Sequence, residues 1–126
     1  MKVAIILYDK FDLKYFAKLN DFFTNTMKFK TKIYALKESV LDSNGVYIGL
    51  EEHSQSLYGN DIVVVCEGKN EYIKYDQIFL SWISSSSKAK HKICSKFGSE
   101  IFKAAKISNY KEIDKDTVEE ELLKLF

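Results

Sequence analysis

Lys90-His91-Lys92-Ile93-Cys94-Ser95-Lys96-Phe97-Gly98-Ser99 reads as a short buried strand that runs through a sharp turn into a helix. A strand leading straight into a helix is the unit from which parallel α/β sheets are built. In such sheets ligands and chemistry sit outside the carboxyl ends of the strands. A turn of this kind that carries a cysteine is where a nucleophile is sought. A helix N-terminus lowers a thiol pKa, and Lys96 adds positive charge nearby. The plainer alternative is that Cys94 is a small buried strand residue, a common role for free cysteine. On the residues alone that alternative is the stronger one.

The stretch fits a pattern that extends in both directions. Val3 to Leu7 and Asp61-Ile62-Val63-Val64-Val65-Cys66 are continuous apolar runs, the mark of strands buried on both faces. Phe29 to Leu36 alternates basic and apolar residues first and reads as a strand nearer a sheet edge. Asp12 is placed to cap a helix whose apolar face is Leu13, Phe16, Leu19, Phe22 and Phe23. Tyr72, Tyr75, Ile78, Phe79, Trp82 and Ile83 predict a second amphipathic helix, ended by Ser84 to Ser87. Phe97, Ile101, Phe102 and Ala105 predict a third. Asp116 with Glu119 resembles a capping box for a last helix carrying Val118, Leu122, Leu123, Leu125 and Phe126. Asn44-Gly45 between two β-rich arms predicts a hairpin. Strands alternating with helices give a flavodoxin-like three-layer α/β sandwich. Its sheet is mostly parallel, with about four strands plus the β-hairpin, in one domain over residues 1–126.

Composition narrows the function classes. A net charge of +1 gives no global attraction to nucleic acid. No apolar run approaches the ~20 residues of a membrane span, so no membrane partner is expected. The apolar run after Met1-Lys2 is too short for a signal-peptide core and has no cleavage site, which predicts a cytoplasmic protein. Cys66 and Cys94 read as reduced thiols. His53 and His91 are isolated and read as surface residues, so no metal site is expected. The turn Tyr8-Asp9-Lys10-Phe11-Asp12 has no glycine, and no Gly-rich phosphate loop follows any strand. That predicts no flavin, dinucleotide or other cofactor. Lys88, Lys90, Lys92, Lys96, Lys103 and Lys106 read as a solvated face balanced by the acidic last helix. No aromatic residues are interleaved to stack bases, so nucleic acid is not expected as a partner.

Taken together, these pieces resemble the ThiJ/PfpI superfamily, whose fold is that of class I glutamine amidotransferase-like proteins. The resemblance covers VAIILYDKFDLKYFAKLNDFF, VLDSNGVYIGLEEHSQSLYGNDIVVVCEG and KAKHKICSKFGSEIFKAAKI, roughly residues 2 to 107. It implies a cysteine at the nucleophile elbow, an acid from the first helix beside it, and an anion pocket near a Pro-Gly-Gly turn. Many members are dimers, which makes a homodimer an expectation here. The family's acid falls on Tyr15, with Asp12 one turn earlier, and its Pro-Gly-Gly turn reads Cys66-Glu67-Gly68. The elbow aligns in two ways. Either Cys94 is the nucleophile with one extra residue in the helix, or Gly98 is the elbow glycine and Lys96 takes the nucleophile position. The family's later strands and its histidine near the elbow have no counterpart among these residues.

Three functions follow as expectations. The first is a binding or regulatory module without catalysis, taking a small-molecule ligand, so that the protein is on balance not an enzyme. The second is a cysteine-dependent enzyme (hydrolase, glyoxalase or deglycase-like) or oxidant sensor. It would use Cys94 with Tyr15 and Asp12, and Cys66, Glu67, Gly68, Ser95 and Lys96 would line its anion pocket. The third is a receiver-like signalling domain built on Asp9 and Asp12.

Overall fold

A computed structural model describes residues 1–126. Strand β1, Lys2–Leu7, lies inside the sheet, and Val3 to Leu7 are buried on both faces as their unbroken apolar run predicts. Helix α1, Leu13–Asp21, starts where the Asp12 carboxylate accepts the Tyr15 N–H at 3.1 Å. It loosens into a π-type turn, Phe22–Thr26, at the polar Thr24, Asn25 and Thr26. Strand β2, Lys30–Ala35, is an edge strand, and its exposed Lys30 and Lys32 discourage pairing with another chain.

Strands β3, Ser39–Leu41, and β4, Tyr47–Gly49, form the expected antiparallel hairpin as a separate two-stranded sheet. Its loop is built differently from a two-residue Asn-Gly turn. Only Gly45 takes a positive φ, +90°. The buried Asp42 carboxylate organises the loop by accepting the N–H groups of Asn44 at 2.9 Å and Val46 at 2.6 Å.

Strand β5, Ile62–Val65, is wholly buried. The helix after it starts later than its apolar spacing suggests. A 3₁₀ turn at Ile73–Tyr75 comes first, and Asp76 then caps α2, Gln77–Ser84, by accepting the Ile78 and Phe79 N–H groups. The interruption turns Tyr72, Tyr75 and Ile78 outward, leaving them 75%, 68% and 75% exposed. Strand β6, His91–Cys94, passes through Ser95 into α3, Lys96–Ala104. Two elements then complete the chain: β7, Lys111–Glu112, and α4, Val118–Leu125. The capping-box reading of α4 does not hold. Thr117 occupies the cap position without a side-chain bond, while Asp116 donates its N–H to Asp114.

The main sheet is parallel throughout, in the order β2-β1-β5-β6-β7. Helix α1 packs with α4 and α2 with α3, which gives the three-layer α/β architecture. The fifth strand, β7, was not among the four expected, because two exposed polar residues carry no periodicity to read. No helix is long and apolar enough to cross a membrane.

Gly98 locks α3 against the sheet. A Cβ there would lie 2.7 Å from the Val65 carbonyl oxygen and 2.9 Å from the Cys94 Cβ. A Gly98→Ala variant is therefore expected to lose about 1–3 kcal/mol, the usual cost of overpacking a core. The measurement is the urea midpoint at unchanged m-value; a midpoint equal to that of the wild type would contradict the close approach.

Candidate functional site

The carboxyl ends of β1, β5 and β6 lie side by side, with Ile6 opposite Val65 and Val65 opposite Cys94. The strand order reverses at β1, so the crevice beyond β1 and β5 is where an open α/β sheet would hold a ligand. Here the protein's own side chains narrow that crevice to a cavity of about 200 Å³ lined by Tyr8, Asp9, Asn70 and Phe79 among others. The Tyr8 side chain is buried, and its hydroxyl donates to the Cys66 carbonyl at 2.5 Å. Its ring stacks on Phe97 and meets Phe79 edge-on, each with centroids 6.0 Å apart. Gly68 makes room for it, since a Cβ there would lie 2.6 Å from the Tyr8 hydroxyl.

Backbone hydrogen bonds tie the turn after β1 to the turn after β5. Asp12 N–H donates to the Glu67 carbonyl at 2.7 Å and Lys69 N–H to the Lys10 carbonyl at 2.9 Å. The Asn70 amide adds a bond to the Asp9 carbonyl at 3.1 Å. Burial pushes the Tyr8 phenol well above its ordinary pKa, and the neighbouring Cys66 and Glu67 add to the rise, so it stays a neutral donor.

At the strand-to-helix turn, the two candidates for the nucleophile position differ in exposure. Cys94 is fully buried, and its thiol donates to the Lys111 carbonyl of β7 at 3.8 Å. Burial pushes this thiol up to about 12; Glu112 adds to the rise and Lys103 opposes it. Lys96 is the first residue of α3 and is exposed. Ser95, between them, makes the turn. It is buried in an extended conformation, and its Oγ accepts the Gly98 N–H at 2.9 Å and donates to Glu67 Oε1 at 3.2 Å. No residue from Cys94 to Gly98 has a positive φ, so the turn is an ordinary serine N-cap and not a strained elbow.

The other expected site residues divide into two groups. Asp12, Glu67, Gly68 and Ser95 are joined by hydrogen bonds along the carboxyl edge. The Asp12 carboxylate is occupied in capping α1. Cys66 is buried beside them, and its thiol is raised by burial first and then by the Asp12 and Glu67 carboxylates. Tyr15 lies beside them, near Cys66, Cys94 and Glu67, but its hydroxyl bonds toward the far strand. It is buried, and its hydroxyl donates to the Ile113 carbonyl, just past β7, at 3.4 Å. Burial raises its phenol too, followed by the nearby thiols of Cys66 and Cys94.

Tyr8 is the site residue that the sequence reading missed. An aromatic residue directly after the apolar run of β1 was its only signal. An open cavity of about 700 Å³ remains at this edge, beside the first turn of α1 and the hairpin loop. Asp12, Tyr15, Lys18, Asp42, Lys69 and Lys115 contribute to its walls.

The two raised thiols fix how stability responds to alkali. An unfolded cysteine titrates near 8.5, whereas burial in the folded chain pushes Cys94 up to about 12 and raises Cys66 as well. The stabilisation from keeping them protonated is complete below the unfolded value and falls as pH rises from there toward the folded values. Stability from urea unfolding is expected to drop by about 2 kcal/mol between pH 8 and 9.5 for the two thiols together. Cys94→Ala should remove roughly half of that slope. A flat profile over this range would show that the thiols are not buried.

No family sequence model and no curated sequence matches the chain. Solved structures do. The putative protease I from Bacteroides thetaiotaomicron superposes with a TM-score of 0.73 at 18% identity, covering 98% of this chain and 96% of that one. Drosophila melanogaster DJ-1beta gives 0.71 at 14% identity, over 90% of this chain and 73% of that one. A ThiJ/PfpI family protein from Pseudomonas syringae gives 0.70 at 17% identity, over 84% of this chain and 46% of that one. This chain thus spans about half the length of the Pseudomonas protein and nearly all of the Bacteroides one. With a parallel sheet, helices on both faces and a hairpin set apart from it, the chain has the fold of the ThiJ/PfpI and DJ-1 proteins.

Proposed function

We propose that this chain is a binding or regulatory module of the ThiJ/PfpI type that has kept the fold without the cysteine chemistry. The observation that carries this reading is the state of Cys94. Its thiol is inaccessible, bonded to the Lys111 carbonyl and pushed up to about 12. At pH 7 only about one molecule in 10⁵ would carry the thiolate, and that thiolate would face β7 and not the cavity. Efficient acyl transfer also needs an oriented base and an oxyanion hole. Tyr15, at the position of the family's acid, donates to a backbone carbonyl instead. The cavity beside α1 is the place for a small-molecule ligand, and its volume falls within the range of known ligand sites.

A receiver-like role has less support. Asp9 is ion-paired with Lys37 and accepts the Leu41 N–H, Asp12 caps α1, and Cys66 follows β5 where a phosphoacceptor would be needed.

Two measurements test the proposal. With a thiol reagent at pH 7.5, native Cys94 should react at least about 10³-fold more slowly than free cysteine, and unfolding in urea should restore full reactivity. Turnover of ester, amide or glyoxal substrates should be the same for wild type and Cys94→Ala, at background level. Turnover that disappears in Cys94→Ala would overturn the non-catalytic reading in favour of the cysteine-dependent enzyme.

A further inference from the structure

Part of the lysine cluster that reads in sequence as a solvated face is gathered by the fold into one groove. The groove lies at the opposite edge of the sheet from the candidate site. It runs along the start of β6, has a volume of about 320 Å³, and is walled by Lys90, His91, Lys92 and Lys111, with Ser108 and Asn109 across from them. No aspartate or glutamate lines it. None of its three lysines has a carboxylate partner, since the ion pairs of the chain are Lys32–Glu52, Lys37–Asp9 and Lys74–Glu100.

The groove exists because β7 is short. β7 pairs only with Ile93 and Cys94, so the edge of β6 at His91 and Lys92 has no strand beside it. The Ser108 and Asn109 backbone N–H groups, on the connection leading to β7, donate to no protein acceptor. Lys92 spends its ammonium away from the groove, and burial lowers its pKa. It is buried, and its ammonium donates to the Ser87 and Ala89 carbonyls at 3.1 and 3.0 Å. The imidazole of His91 is held edge-on against the Phe126 ring at 5.1 Å.

The negative end of α3 lies nearby but is largely neutralised. Its Ile101, Phe102 and Lys103 carbonyls accept the N–H groups of Ala105, Ile107 and Lys106, and the Ala105 carbonyl accepts the Ser84 hydroxyl. The carbonyl end of α4 also reaches the groove, where Leu125 lines it and Phe126 packs on His91. The charged side chains at the groove are nonetheless the cations Lys90 and Lys111, with the unpaired Ser108 and Asn109 N–H groups on its wall residues, the chemistry that recognises a tetrahedral oxyanion.

We infer that this groove is a binding site for a phosphate group, with Lys90 and Lys111 as its charged contacts and the Ser108 and Asn109 N–H groups as its neutral donors. The site uses neither the Cys94 thiol nor the cavity beside α1, so its test stands whatever becomes of the proposed function.

The test is a titration of the full chain with pyrophosphate at constant ionic strength, followed by calorimetry and by the NMR shifts of the His91 ring. A second arm measures co-sedimentation with phosphatidylglycerol vesicles, which separates a lipid headgroup from a free phosphate ligand. Saturable binding in either arm is expected, with His91 among the resonances that move. The Lys90→Gln/Lys111→Gln double variant should bind at least about tenfold more weakly, the worth of one charge-assisted hydrogen bond. Lys30→Gln/Lys32→Gln, exposed on the other edge strand, β2, should bind as wild type does. Thermal melts of both double variants check that they are folded. No saturation in either arm up to about 10 mM, or equal weakening by the two double variants, would overturn the site.

Discussion

The hydrogen bond from the Tyr8 hydroxyl to the Cys66 carbonyl is the contact on which the carboxyl edge of this protein depends. A phenol buried without a partner would cost about 1–3 kcal/mol. With the partner it becomes a bolt between the ends of two central strands. Gly68 is required beside it because no side chain fits against the Tyr8 ring. Phe97 on α3 and Phe79 on α2 then pack on that ring, so the helices of one layer are tied to the same point. An open sheet of this kind normally leaves a crevice where its strand order reverses. Tyr8 narrows that crevice to a cavity of about 200 Å³ against its ring and Phe79, and larger open spaces lie further out, beside Phe97 and beside α1 and the hairpin loop.

The chemistry at the edge follows from the same packing. Ser95 caps α3 and bonds to Glu67, which joins the turn after β6 to the turn after β5. With a serine cap supplying the turn, the backbone needs no strained residue, and Cys94 stays within the strand with its thiol toward β7. A cysteine in that position is protected by burial: the charge needed for nucleophilic attack would have to form beside backbone carbonyls and away from water. Tyr15 likewise spends its hydroxyl on the backbone next to β7. Both residues thus contribute to holding the short fifth strand in place. The shortness of that strand leaves the start of β6 open and exposes the basic groove at the far edge.

Much of this was legible in the residues. The apolar runs Val3 to Leu7 and Ile62 to Val65 could only be strands buried on both faces, and alternation with amphipathic helices made the sheet parallel. The cap Asp12 lies where its helix begins. The reading was less successful where local signals are weak or compete. Tyr72 and Tyr75 share the spacing of the apolar face of α2, yet Asp76 captures the Ile78 and Phe79 N–H groups and starts the helix after them. β7 is too short and polar to show a period. Asp116 has the right distance from Glu119 for a capping box, but its N–H is drawn to Asp114.

By itself the sequence determined the order of the elements up to α3, the parallel sheet and the location of the turn that follows β6, because apolar periodicity and capping are local properties that each segment carries within it. Only the tertiary structure decided what that turn does. Whether Cys94, Ser95 or Lys96 faces a ligand depends on which atoms of β5, β7 and α1 come to lie against them, and those contacts join residues far apart in the chain. The bolt at Tyr8 and the gathering of Lys90 and Lys111 into one groove are of the same kind. Neither leaves a mark on its own neighbourhood in sequence, since each is made by packing across strands and not along them.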